Sequence, residues 1–219
     1  MFFKNLYNIV MVICMRTIIY LLIAILGNAL GTAIMAETNL GMTAWGSGAS
    51  NTASFFNLTI GQAFIVLSII FYVLATFLRR KFILKEMMES TVFLLAFSFL
   101  ADYFITLMPD LSNLGSVLLL LINILGMLVL MFSIAVHIRL HRFVHPMDIF
   151  LSVLQTKLHS ISKGTYLAYS IGFCFAIVFG LLAGGITDIG VGTVITLVSS
   201  GMVMKYYNKW ILDKWKFAI

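Results

Sequence analysis

Residues 17–36 of the chain, TIIYLLIAILGNALGTAIMA, contain no charged side chain, and residues 37–59, ETNLGMTAWGSGASNTASFFNLT, contain one. A helix of about 20 apolar residues crosses the hydrocarbon core of a bilayer. The first stretch therefore predicts a transmembrane helix. The second is rich in Gly, Ala, Ser, Thr and Asn and predicts a connection that is neither a span nor a short turn. This order of a span and a long segment decides the fold.

The whole chain has a membrane composition. Of its 219 residues, 62% are hydrophobic and 10% are charged, whereas a soluble domain averages about 45–50% apolar and about 25% charged residues. The mean hydropathy is +1.08. This composition excludes a soluble enzyme, a nucleic-acid-binding module and a disordered regulator.

Six stretches are long and apolar enough to be spans, and none shows the alternation typical of barrel strands. They are residues 17–36, 60–78, 88–108, 114–138, 165–183 and 189–206. The sequence thus predicts an all-α membrane protein with six transmembrane helices. Residues 1–16 are expected either to lie at the membrane interface or to lengthen the first helix. Residues 207–219 combine Lys with aromatic side chains and predict a cytoplasmic interfacial tail.

The basic residues predict the orientation. If the N-terminus is cytoplasmic, all 14 Lys and Arg residues lie on the cytoplasmic side. The external segments 37–59, 109–113 and 184–188 then carry only acidic charges, as the positive-inside rule requires. We expect a multi-pass protein of the cell membrane with both termini in the cytoplasm. The net charge of +6 follows from this topology, so contact with membrane lipid is expected and a nucleic-acid partner is not.

The unequal connections reveal an internal repeat. Segments 37–59 and 139–163 are long and the other connections are short, so residues 17–108 and 114–206 share one order of spans and segments. Three spans per half place the second half in the membrane with the opposite orientation. Transporters built from such inverted-topology repeats bind substrate near the midplane, between the halves. Each long segment either dips into the membrane under a cover of protein or lies on the surface.

Several short motifs carry a family resemblance over nearly the full chain. They are GNALG at 27–31, NLGMTAW at 39–45, LTIG at 58–61 and FSFLADYF at 97–104. Together they resemble the YczE/YitT-type bacterial membrane proteins, although Ala44 stands where that family usually has Pro and Gly46 where it often has Asp. The resemblance implies a small-solute transporter, or a protein linked to the export or regulation of secreted metabolites.

Asp102 is the first candidate for a functional residue. It lies within the third predicted span, where an ionisable side chain costs about 2.5–3.5 kcal/mol to insert and usually has a partner or a function. It is expected either to exchange a proton in an internal cavity or to serve as a structural hydrogen-bond acceptor.

The other candidates for substrate binding are polar or aromatic residues of the two halves, namely Asn28, Thr43, Trp45, Asn123 and Asp148. The two amides either bond neighbouring helices to each other or contact a ligand. Trp45 is either an interfacial anchor or the floor of a cavity. Asp148, which closely follows a proline, either caps a helix or contributes to a site. GxxxG pairs at 27–31 and 180–184 predict close helix packing, within the chain or in a homo-oligomer or membrane complex.

No catalytic, metal-ligating or phosphate-binding motif is present, so neither an enzyme nor a cofactor is expected. The sequence favours a small-solute transporter or permease with its site between the repeats. Two alternatives remain open. One is a non-transporting membrane partner or regulator of an export or biosynthesis complex, and the other is the substrate-binding subunit of a multi-component importer.

Overall fold

All elements in the described part of the chain are helical, as the sequence predicts. A computed structural model describes residues 2–140 and 142–214, with side chains from Met15 onward. The helices are α1 (Phe2–Glu37), α2 (Ala44–Phe56), α3 (Ile60–Arg79), α4 (Leu84–Leu107), α5 (Ser116–Leu140), α6 (Pro146–Lys157), α7 (Ile161–Leu182) and α8 (Val191–Tyr206). Residues 2–16, for which two placements were expected, continue α1. Residues 215–219 of the predicted tail lie outside the described residues.

Five helices are long and apolar enough to cross a membrane, as expected of a multi-pass membrane protein. They are α1 from Met15 onward, α3, α4, α5 and α7. Helix α8 has 16 residues, fewer than the roughly 20 that a span needs, but a π-helical turn continues it from Tyr207 to Leu212. Large apolar side chains point outward from these helices, and Phe77, for example, is 78% exposed. Such faces suit a lipid surround.

Each of the two long segments contains a short buried helix. Thr43 begins α2, because its Oγ1 accepts a hydrogen bond from the Gly46 amide at 3.1 Å. His145 begins α6 in the same way, since its Nδ1 accepts from the Met147 amide at 3.3 Å. Pro146 occupies the first helical position, where its fixed φ angle and missing amide proton suit a helix start.

The helices pack in a pattern that repeats between the halves. Helices α1 to α4 of the first half correspond in order to α5 to α8 of the second. In the first half α4 contacts both α1 and α3, and in the second half α8 contacts both α5 and α7. Each short helix lies against both α3 and α7, while α1 and α5 pack on each other. Gly27 and Gly31 allow that last contact, because a Cβ at Gly31 would lie 2.7 Å from the Gly126 carbonyl oxygen. The predicted close approach at 27–31 is therefore made within the chain.

Candidate functional site

A small, mostly apolar cavity with a few polar side chains lies where α2 and α6 begin. Its volume is about 30 Å³, room for about two water-sized groups. The cavity is lined by Asn28, Thr32, Thr43, Trp45, Phe64, Phe97, Leu130, Ile134, His145, Met147 and Asp148. Four of the six predicted candidates, from α1, α2 and α6, thus meet in one place.

One wall of the cavity is a buried hydrogen-bonded chain across three helices. His137 Nε2 lies 2.9 Å from Asp148 Oδ2, and Asn28 Nδ2 lies 3.3 Å from His137 Nδ1. With the Asn28 amide donating to Nδ1, the neutral imidazole carries its proton on Nε2 and donates it to the carboxylate. His137 is fully buried and Asp148 is 4% exposed. Asn28 therefore bonds one helix to another, which is one of its two predicted roles, and Asp148 lies in the same chain of hydrogen bonds.

Trp45 forms part of the opposite wall. It is 5% exposed, so it does not lie at the lipid interface. A Cβ at Gly172 would be 2.6 Å from Trp45 Cε3, which places the benzene edge of the indole against α7 and turns the pyrrole edge away from α7. Its Nε1, at that edge, has no hydrogen-bond partner among the described residues. An indole N–H is a donor only, so the site has one donor to spare.

His145 supplies a second spare donor. Its Nδ1 accepts from the backbone, so the neutral ring carries its proton on Nε2, and that atom has no partner within residues 2–140 and 142–214. Three phenylalanine rings surround the imidazole, with centroids at 6.2 Å (Phe64), 5.8 Å (Phe93) and 5.1 Å (Phe97). A buried donor without an acceptor costs about 1–3 kcal/mol, and a bound acceptor would remove that cost.

Asp102 and Asn123 lie elsewhere and have structural partners. Asp102 accepts from Thr59 Oγ1 at 2.7 Å and from the Gly61 amide at 2.8 Å. Its carboxylate thereby lies at the start of α3, where the partial positive charge of the helix favours a negative side chain. Asn123 Nδ2 donates to Thr38 Oγ1 at 2.8 Å and to the Gly41 carbonyl at 2.9 Å. Among the predicted alternatives, these contacts correspond to a structural hydrogen-bond acceptor at Asp102 and to a structural amide at Asn123.

The part of the site that the sequence did not reveal is the pair of histidines. His137 and His145 have no motif spacing to Asp148, and His141, their neighbour in sequence, lies outside the described residues. The sequence offered a weaker signal. His137 is an ionisable residue in the last turn of a largely apolar helix, and ionisable residues within a membrane helix usually have partners.

A larger cleft lies beside the cavity, at the end of the molecule that carries Arg79 and Arg142, which we call the Arg142 end. Its volume is about 330 Å³. Charged side chains line it, with Arg79 paired to Glu86 at 2.6 Å and Arg142 to Glu89 at 2.9 Å. Ile138, Val144 and Ile149 also line it and directly adjoin His137, His145 and Asp148 in the chain. Residues that are neighbours in the chain therefore line the cleft and belong to the cavity or to its hydrogen-bonded chain.

At the other end, which we call the Asp188 end, α2 is bonded to the turn between α7 and α8. Ser47 Oγ donates to the Asp188 carbonyl at 2.6 Å, and Asn51 Nδ2 donates to the Thr187 carbonyl at 2.7 Å. The Thr187 amide donates back to Asn51 Oδ1 at 2.9 Å, and Ser50 Oγ donates to the Asp188 carboxylate. These contacts, the α2–Asp188 contacts, close this end.

One family model matches residues 15–209 and is described as a family of unknown function (DUF6198). No curated protein and no solved structure matches the chain. The family name does not link the chain to the YczE/YitT-type proteins, so that resemblance rests on its motifs alone. Because the match covers most of the sequence, the chain belongs to the DUF6198 family.

Proposed function

We propose that this member of the DUF6198 family is a small-solute membrane transporter whose solute site is the cavity between α2 and α6. The observation that carries the proposal is the meeting of two buried helix starts at a cavity with spare hydrogen-bond donors. Helices that end inside the membrane are a common way to build a transport site, because their free termini can bind polar groups away from water.

The helix order supports an inverted-topology repeat. The first half has a long helix, a short buried helix and two long helices, and the second half has the same order. Each main contact between two helices has a counterpart between the corresponding helices of the other half. In this proposal α8 and its continuation to Leu212 form the sixth span. The basic residues then place both termini and the Arg142 end in the cytoplasm.

Cysteine labelling tests this topology. Cys14 and Cys174 are first replaced by Ala, and single cysteines are introduced at the exposed positions Asn113 and Lys157. An impermeant thiol reagent added to intact cells should label Asn113→Cys and spare Lys157→Cys until the membrane is opened. Labelling of Lys157→Cys in intact cells would contradict the six-span arrangement.

The difference between the two ends supports a transport cycle. The α2–Asp188 contacts hold the proposed outer end together, whereas a cleft at the Arg142 end is lined by residues next in sequence to His145 and Asp148 of the cavity. We assign this state as closed to the outside and nearly open to the cytoplasm. A transporter must also visit the opposite state, in which the α2–Asp188 contacts are broken.

The decisive test is whether the cavity becomes wet from both sides. Met147 lines it and is 1% exposed, and Ala176 of α7 is equally buried but is not among the lining residues. In the background without native cysteines, impermeant reagents should label Met147→Cys from either side of oriented vesicles and should leave Ala176→Cys unmodified. Absence of labelling at both positions would indicate a dry core and would favour the non-transporting partner or regulator.

A further inference from the structure

We infer that the cavity binds a small oxyanion of the carboxylate class, and that one proton bound by the protein accompanies each anion. The inference rests on the proposed function and specifies its ligand. The N-terminus of α2, a helix of 13 residues, carries a partial positive charge and lies at the cavity. Two buried side chains, Trp45 and His145, line the same space, and each has an N–H group with no partner among the residues that the structure describes.

These groups all require an acceptor. Trp45 Nε1 and His145 Nε2 come from opposite halves of the chain, and both residues are 5% exposed, so water at the protein surface cannot satisfy them. The two oxygens of a carboxylate or similar planar oxyanion can accept from two separate donors at once. An ammonium ligand has no acceptor and would leave both donors unsatisfied. A neutral hydroxyl or carbonyl oxygen can accept from both, but it lacks the negative charge that the start of α2 favours.

The charges around the cavity demand a proton. Within the part of the chain that the structure describes, no Lys or Arg lines the cavity, and Asp148 is the acidic side chain in its lining. An anion placed beside that carboxylate in a low-dielectric interior would be repelled strongly. The titratable groups that face the site are Asp148 and His145 on α6, His137 on α5 and Tyr169 on α7. The lining residues from α1 to α4 are not titratable.

The His137–Asp148 pair is the group that can hold the proton. Protonation of His137 would convert the pair into a neutral ion pair and remove the repulsion on the bound anion. The anion and the proton together add no net charge, so their passage would be electrically neutral. The cavity volume of about 30 Å³ restricts the anion to a few heavy atoms, and formate is a suitable probe.

Fluorescence of Trp45 measures binding directly. Trp210→Phe and Trp215→Phe leave Trp45 as the single tryptophan, and the full-length protein is titrated in detergent with formate, nitrate and formamide. Formamide matches formate in size but has no charge. Nitrate does not protonate in water, so any proton that accompanies it must be bound by the protein.

We expect saturable changes with formate and nitrate and none with formamide. Affinity for nitrate should rise as the pH falls, by up to about tenfold for each pH unit, as linkage to one proton requires. Asp148→Asn keeps the shape of the side chain and should bind nitrate with little pH dependence. If that variant does not fold, the pH dependence of nitrate binding to the parent protein still decides whether a proton accompanies the anion.

Two results would overturn the inference. Equal binding of formamide and formate would show that the site takes neutral solutes, and pH-independent nitrate binding would show that no proton accompanies the anion. Both leave the proposed transporter intact, whereas failure of Met147→Cys to label would remove the transporter itself. The outcomes are therefore distinguishable.

Discussion

The two short helices occupy matching places in the two halves but differ in chemistry. Helix α2 has ten consecutive buried residues, none of them charged, and Ser47 and Asn51 bond it to the α7–α8 turn. Helix α6 carries Asp148 and is preceded by His145. Within the described residues it has no hydrogen bond to the α3–α4 turn, which is its counterpart connection, and the larger cleft lies beside it.

This difference indicates a division of labour within one architecture. Helix α2 forms a fixed wall, because Ser47 and Asn51 bond it to the backbone of the α7–α8 turn. Helix α6 supplies the titratable groups, and at the Arg142 end it borders an open cleft, across which the partly exposed Arg142–Glu89 ion pair joins the α5–α6 connection to α4. Exposed ion pairs contribute little to stability. We therefore expect α6 to be more mobile than α2 in this conformation.

The largest effect should come from breaking the polar chain at α6. His137→Ala leaves the Asp148 carboxylate buried and unpaired, which costs about 3–5 kcal/mol of unfolding free energy. Unfolding in SDS, followed by tryptophan fluorescence, measures this loss. Adding Asp148→Asn should restore part of the stability, because the buried charge is gone. A double variant no more stable than His137→Ala would show that the pair is not coupled.

On the α2 side the expected loss is smaller. Asn51→Ala removes two hydrogen bonds to the backbone of Thr187, each worth about 0.5–1.5 kcal/mol. The same unfolding assay applies. This variant should also increase labelling of Met147→Cys from the proposed outer side, because the α2–Asp188 contacts close that side. If labelling of Met147→Cys from the proposed outer side did not change, the α2–Asp188 contacts would not control access to the cavity.

Two glycines test how closely α2 is held on α7. A Cβ at Gly172 would lie 2.6 Å from the Trp45 ring, whereas a Cβ at Gly48 would lie 3.5 Å from its nearest neighbours. Gly172→Ala should destabilise by about 1–3 kcal/mol through overpacking, and Gly48→Ala should be neutral or stabilise by up to about 1 kcal/mol. Comparable stabilities for the two variants would mean that the α2–α7 contact is loose.

The smallest effect is expected at the cleft. The Arg142 side chain is 50% exposed in its pair with Glu89, so Arg142→Gln should cost about 0–1 kcal/mol. Thermal unfolding in detergent measures it beside Asn51→Ala. A loss at Arg142 equal to that at Asn51 would contradict the difference between the two ends.

The sequence predicted the helices well because the membrane imposes one simple requirement, a long apolar run. The predicted span 60–78 is observed as Ile60–Arg79, and 114–138 as Ser116–Leu140. Composition also indicated that segment 37–59 is unusual, and Thr43 and Trp45 of that segment do line the cavity. The depth of Asp102 was readable from the sequence, but its partners lie 41 and 43 residues away, and only the packing of α4 on α3 brings them together. The contact between His137 and Asp148 likewise depends on how α6 folds back on α5.

Hydrogen–deuterium exchange, resolved by peptide, compares α2 and α6 most directly. In lipid nanodiscs, amides of residues 44–53 should exchange more slowly than those of residues 146–154, because α2 is bonded at the Asp188 end and α6 borders the cleft. Exchange reports the free energy of local opening. Asn51→Ala should raise exchange in α2 towards the α6 value. Exchange in α6 as slow as in α2, or slower, would contradict the assignment of α6 as the moving helix.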